Sequence, residues 1–312
     1  MGKTTAIQWC HHTFNPWWGC EKISAACANC YAESIARRFG KDVWGKDAPR
    51  RPQSASYWLQ PYDWDYEAQK AKTRRRVFCA SMADVFEGRR DLDRLRNALW
   101  LLIDSTPFLD WLLLTKRPEN ILQMVPQNWL DSPRANVWIG TTVENQEQAE
   151  HRIPELLRVP ARVRFLSCEP LLGPVDLGPW LSDPCDCLIP ALEGAGQHTP
   201  TCKTFSEPWG LDWVIVGGES GPKARPMHPA WARQLRAKTQ FYGVPFFFKQ
   251  WGTYRPATNR EALPAKGAVL LDHDAMVRVG VKAAGRELDG EEWNQIPVPA
   301  KRQVTGDLRA GR

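Results

Sequence analysis

Six short runs of almost unbroken apolar residues constrain this chain's fold more than any other feature. They are residues 77–81 (VFCAS), 111–115 (WLLLT), 137–141 (VWIGT), 163–167 (VRFLS), 213–217 (WVIVG) and 245–249 (PFFFK). A strand with one wet face alternates apolar and polar residues. These runs do not alternate, so each is expected to be covered on both faces, as strands of parallel sheets are. Three intervening segments, 91–105, 146–158 and 229–242, have the apolar spacing of amphipathic helices. A further strand over residues 6–9 is expected to open the series. Strands alternating with helices predict an α/β fold built on a parallel sheet, a partial or full (β/α) barrel.

The strand ends say more about function than the strand middles. Ser81 and Asp84 follow the first run, Lys116 the second, Glu144 the third and Glu169 the fourth. Gly217, Gly218 and Glu219 close the fifth, and Lys249 ends the sixth. In a barrel these ends share one mouth, where such folds place their chemistry. Each residue also has a plainer reading. The glycines would serve a tight turn, the carboxylates a helix start, and the lysines a solvated surface. Six strands ending alike favour the site.

With 43% of its 312 residues hydrophobic, the chain can bury a sizeable core, which excludes wholesale disorder. No apolar run approaches the roughly 18 residues of a membrane span. The net charge of +6 is compatible with a nucleic-acid partner without requiring one. Arg37-Arg38, Arg74-Arg75-Arg76 and Arg89-Arg90 could track phosphates, though a solvated face is the plainer reading. The opening MGKTTAIQWC has no signal-peptide apolar stretch, so a cytoplasmic location is expected. Gly2-Lys3-Thr4 lacks the upstream loop of a phosphate-binding motif, and Ala6 stands where a myristoylation signal wants Ser or Thr. Nine cysteines in a reducing compartment then point to metal, cluster or redox chemistry. Cys79 and Cys168 sit in strand-like runs and read as core.

Residues 1–253 are expected to form the barrel domain, with an insertion at about 177–211. Cys185, Cys187, His198 and Cys202 in that insertion offer four zinc-type ligands, the alternative being a loose loop. Residues 254–312 read as a small, partly β appendage with a basic tail.

The sharpest local feature is Cys20-x6-Cys27-x2-Cys30, ahead of a helical stretch through Arg38. Three sulfurs fall one short of a structural zinc site, for which His11, His12 or Cys10 could supply a fourth ligand. In a [4Fe–4S] cube the same three sulfurs hold three irons and leave one open to a cofactor or substrate. A non-catalytic, zinc-stabilised nucleic-acid-binding protein is the competing reading.

The loop FNPWWGCEKISAACANCYAE resembles the three-cysteine motif of an uncharacterised phage and bacterial family that looks related to radical S-adenosylmethionine (SAM) enzymes. SMADVFEG, LLLTKRPEN, FLSCEPLLGPV, VIVGGESGPKARPM, FFFKQWG and AAGRELDGEEW, in this order, are similar to that family's recurring blocks and span most of the chain. The loop departs from the commoner C-x3-C-x2-C spacing: its first gap is six residues, and Asn29, not an aromatic, precedes Cys30. The resemblance implies a barrel of the radical SAM type. It implies a [4Fe–4S] cluster on Cys20, Cys27 and Cys30, bound SAM, an electron donor, and reductive cleavage of SAM to a 5′-deoxyadenosyl radical. That radical would abstract hydrogen from a substrate, with a nucleobase or nucleic acid favoured. Ser81 and Asp84 then fall where such enzymes contact the methionyl group, and Gly217-Gly218-Glu219 resembles their GGE element. Glu144, Glu169, Lys116 and Lys249 become candidates for gripping SAM and substrate, with Arg225 a weaker one.

Overall fold

The computed structural model describes residues 5–181, 210–258 and 268–298. After β1 (His12–Thr13), β2 (Trp17–Trp18) and β3 (Arg51–Pro52) form a short antiparallel ribbon beside the cysteine loop. The main strands follow: β4 (Arg75–Cys79), β5 (Leu109–Thr115), β6 (Val137–Thr142), β7 (Val163–Cys168), β8 (Trp213–Gly217) and β9 (Phe246–Gln250). With β1 they pair in the order β1-β4-β5-β6-β7-β8-β9, every neighbour parallel. The edges at β1 and β9 leave an open, parallel half-barrel.

All six apolar runs are strands, shifted by two residues or fewer at their ends. Both faces are covered, as their lack of alternation requires. The outer residues Val77, Leu113, Ile139, Leu166 and Val214 pack in one cluster with Leu99, Ile153 and Leu235 from the helices α3 (Asp93–Asp104), α6 (Gln146–Leu157) and α8 (Pro229–Phe241). The inner residues Phe78, Leu112, Trp138, Phe165, Trp213 and Phe247 form a second, aromatic cluster. Gly140 sits on this inner face because a β-carbon there would lie 2.5 Å from the Phe165 ring.

Two elements differ from the sequence reading. Residues 6–9 are not a strand; the opening strand is His12–Thr13, paired in register with Val77 and Phe78. Trp9 turns into the concave face instead, 4.7 Å from the Phe78 ring centroid. A helix with no counterpart in that reading spans Ala55–Lys70, capped by the Ser54 hydroxyl, which accepts from Tyr57 N. Pro61 within it and seven scattered residues of Tyr, Trp and Asp mask its helical pattern.

After β9, β10 (Tyr254–Pro256), β11 (Val269–Leu271) and β12 (Asp274–Arg278) form an antiparallel sheet, followed by the pair β13 (Glu287–Leu288) and β14 (Glu291–Glu292). The chain then returns to the β9 edge. Phe248 N donates to Trp293 O, Gln295 N to Phe246 O, and Trp213 Nε1 to Gln295 O. Cys185, Cys187, His198 and Cys202 lie outside the described residues. No helix among the described residues is long and apolar enough to cross a membrane.

Candidate metal and cofactor pocket at the strand ends

The C-terminal ends of the parallel strands open on a cavity of about 540 Å³. Cys20, Cys27 and Cys30 line one side. Ser81, Asp84, Lys116, Glu169, Gly218, Glu219 and Lys249 line the strand-end side, and Ile7, Trp9, Phe78 and Leu114 give it an apolar wall. Seven of the nine strand-end candidates therefore meet the three sulfurs in one space. Glu144 and Gly217 do not line it.

The cysteine loop is tied to the barrel along its length. At its start, Gly19 N donates to Met82 O, and Gly19 has φ +120 with Val43 O 2.5 Å from where a β-carbon would sit, so only glycine fits. Asn15 accepts from Met82 N at 2.7 Å and exchanges hydrogen bonds with the Ser81 hydroxyl. Arg117 reaches Cys20 Sγ at 4.0 Å and Glu21 O at 3.3 Å, and is held by Asp84 at 3.0 Å. In the turn Ala25–Cys27, Ala26 N donates to Glu144, which pairs with Arg152 at 2.9 Å. Asn29 Nδ2 donates to Glu219 at 3.0 Å, and Glu219 pairs with Arg225, which donates to Ala25 O at 2.9 Å. Cys30 then opens the helix α1 (Tyr31–Arg38).

The electrostatics follow. Burial pushes the Cys20 thiol up to about 12, aided by nearby Asp84 and opposed by Arg117. Burial raises Cys30 as well. Burial raises Glu144, but the Arg152 guanidinium together with the hydrogen bonds from Ser24 and Ala26 more than offsets it and holds this carboxyl below its ordinary value. Glu219 is lowered against the same burial by the hydrogen bonds of Arg225.

Other candidates face the cavity. Glu169 and Lys249 pair at 3.1 Å across the ends of β7 and β9, and Ser167 Oγ donates to the same carboxylate. Lys116 Nζ donates to the Thr142 hydroxyl at 3.3 Å. Tyr31, at the loop's exit, donates to Ser81 O. The two glycines serve the chain itself. A β-carbon on Gly218 would lie 1.9 Å from Trp251 O, and one on Gly217 would lie 2.9 Å from Glu169 Oε1. Backbone crowding against the turn after β9 requires glycine at 218, whereas at 217 the near neighbour is the Glu169 side chain. Asn15, Asn29 and Tyr31 lie within the cysteine loop and Arg117 within LLLTKRPEN, but their partners, like that of Arg152, show only in space.

His11 and His12 do not join the cysteines. His11 Nδ1 accepts from Arg76 N, His12 stacks on Trp64, and neither lines the cavity. Cys10 is buried between strands near Phe78, with its thiol pushed up to about 12 by burial. Among the described residues, no three His, Cys, Asp or Glu side chains are placed to hold one metal ion. A single zinc in this loop therefore lacks its ligand set. A cube makes a different demand, because each sulfur binds its own iron and the three need not converge on a point. Three sulfurs on one wall of a cavity of this size suit a cube and a small organic ligand beside it.

The family model DUF5131, described as a protein of unknown function, matches residues 4–297. No curated protein matches the chain. Among solved structures, a cysteine-to-serine variant of spore photoproduct lyase is similar at 13% identity and TM-score 0.43, covering 89% of this chain and 72% of that one. The same lyase complexed with dinucleoside spore photoproduct is similar at 13% identity and TM-score 0.40, with 84% and 67% covered. A doubly substituted form with bound AdoMet and dinucleoside spore photoproduct gives 12%, TM-score 0.40, and 85% and 67%.

Proposed function

From a chain that belongs to the DUF5131 family, whose function is unknown, we propose a radical SAM-like iron–sulfur enzyme. The observation that carries this reading is the loop of Cys20, Cys27 and Cys30 facing a cavity at the C-terminal ends of a parallel half-barrel. The three thiolates would hold a [4Fe–4S] cluster with one iron open to SAM. When bound, cluster and SAM would supply one-electron reductive chemistry able to start hydrogen abstraction from a substrate.

The chain's own residues have separate tasks. Arg117 places a guanidinium beside Cys20, where it favours the thiolate that metal binding needs. Ile7, Trp9, Phe78 and Leu114 keep one wall dry, which suits a reactive species that water would quench. Lys116, Ser81 and the Glu169–Lys249 pair supply donors and an acceptor for the polar parts of SAM and substrate. A nucleobase fits this division: its flat face suits the aromatic wall, and its donor–acceptor edge suits an ammonium beside a carboxylate.

The test is anaerobic reconstitution with iron and sulfide, followed by reduction in the presence of SAM. A brown colour with broad visible absorbance, iron in the protein and release of 5′-deoxyadenosine are the expected results. Cys27→Ala is expected to lose both colour and product. Full iron content in that variant would overturn the ligand assignment. A coloured wild type that yields no 5′-deoxyadenosine would replace the enzyme with an electron carrier or sensor.

A further inference from the structure

Metal-binding loops commonly take their order from the metal itself, because ligands that are apart in the free chain must be gathered by the ion. The cysteine loop of this protein has another source of order. Three carboxylates, Asp84, Glu144 and Glu219, follow the alternate strands β4, β6 and β8. Each is paired with an arginine, at 3.0, 2.9 and 2.6 Å. Each pair then grips a different part of the loop. Arg117 takes Cys20 and Glu21, Glu144 takes the backbone of Ala26, and the Glu219–Arg225 pair takes Asn29 and the carbonyl of Ala25.

Two of these carboxylates have little capacity left for a ligand. An ionised carboxylate offers about four acceptor sites. Asp84 accepts from Phe86 N, Thr115 Oγ1, Lys116 N and Arg117 Nη1. Glu219 accepts from Asn29 Nδ2 and from N, Nε and Nη2 of Arg225. Glu144 is fully buried, stands outside the cavity, and divides its oxygens between Ala26 N and Arg152. We infer that these three acid–arginine pairs are latches that hold the cysteine loop folded against the cavity before any metal arrives. Asp84, Glu144 and Glu219 are then positioning residues rather than contacts to SAM. The inference takes its purpose from the cluster reading above, but the latching is a property of the metal-free chain.

The test compares the full-length protein with Asn29→Ala and Glu144→Gln, first without iron and then after anaerobic reconstitution. Asn29→Ala removes one of the two loop contacts of the third latch and leaves Glu219 paired with Arg225, so no buried charge loses its partner. Without iron, the wild-type amides of residues 19–30 are expected to exchange slowly. In the variants they are expected to exchange about 10- to 100-fold faster, the range of a charge-assisted hydrogen bond. Exchange in the parallel strands and the Tm of Asn29→Ala are expected to stay at wild-type values. After reconstitution, the variants are expected to lose iron to a chelator faster than the wild type. A metal-free wild-type loop that exchanges like an unstructured segment overturns the inference, and so does unchanged loop exchange in Asn29→Ala. A wild type that takes up no iron while its loop still answers to the latches supports the latching and overturns the cluster reading, so the two failures are distinct.

Discussion

Cys10, Cys79 and Cys168 stand apart from the cysteine loop and are buried, the last two at the ends of β4 and β7. Burial pushes Cys10 up to about 12 and the other two further still, from an ordinary value of 9.0. Well below pH 9.0 these thiols are neutral in both folded and unfolded chains and contribute almost no pH dependence. As the pH rises past 9.0, the unfolded chain gives up protons that the folded chain retains, so stability falls. The slope is at most about 1.4 kcal/mol per thiol per pH unit. A Tm series carried into the alkaline range is expected to bend downward above 9.0, and Cys168→Ala to flatten that bend. An unchanged slope in Cys168→Ala would show that the loss comes from elsewhere. The same residue scale divides what could be read in advance. Cys20, Cys27 and Cys30 lie within eleven positions, so their spacing alone displays them. Arg117 gains its meaning from Asp84, 33 residues away, and Asn29 from Glu219, 190 away. Neither the partner of a charge nor the number of its hydrogen bonds is written in local sequence. That is why Asp84 and Glu219 read as cofactor contacts until their donors could be counted.

The strands were readable because burial on both faces removes the polar alternation that makes short strands ambiguous. Helix Ala55–Lys70 was not, because Pro61 and its scattered aromatics break the period while the Ser54 cap and packing of Trp64 and Ala68 still fix it. The opening strand was misplaced for a related reason. Residues 6–9 include Trp9, which has strand-like character but fills the concave face of the half-barrel. Gly140 shows how tightly neighbouring strands share that face. Its partner in register is Phe165, whose ring occupies the volume a side chain on β6 would take. Gly140→Ala is expected to lower stability by about 1–3 kcal/mol through overpacking. Pairing it with Phe165→Leu is expected to recover part of that loss in denaturant unfolding. Additive losses in the double variant would mean that the two positions do not compete for one space.

An open half-barrel has an edge to protect at β9, where unpaired backbone groups of a long apolar strand invite association with other chains. The C-terminal segment covers it: Trp293 and Gln295 hydrogen-bond to Phe248 and Phe246, and Gln295 O also takes the indole N–H of Trp213 from inside the sheet. Arg236 stacks on Trp293 at 5.1 Å, joining the helix α8 to the same seam. The described residues beyond 253 therefore bear on the integrity of the barrel although the main strand pattern ends before them. A chain ending at Thr253 would leave Trp213 without its acceptor and expose the Phe246–Gln250 strand. It is expected to be recovered largely as aggregate, or to elute as larger species in size-exclusion chromatography. The alternative is that residues 1–253 form a domain stable by itself. A monodisperse truncated protein with wild-type Tm would establish that, and would leave the C-terminal segment a separate role at the cavity rim, where Val281 already lines the pocket.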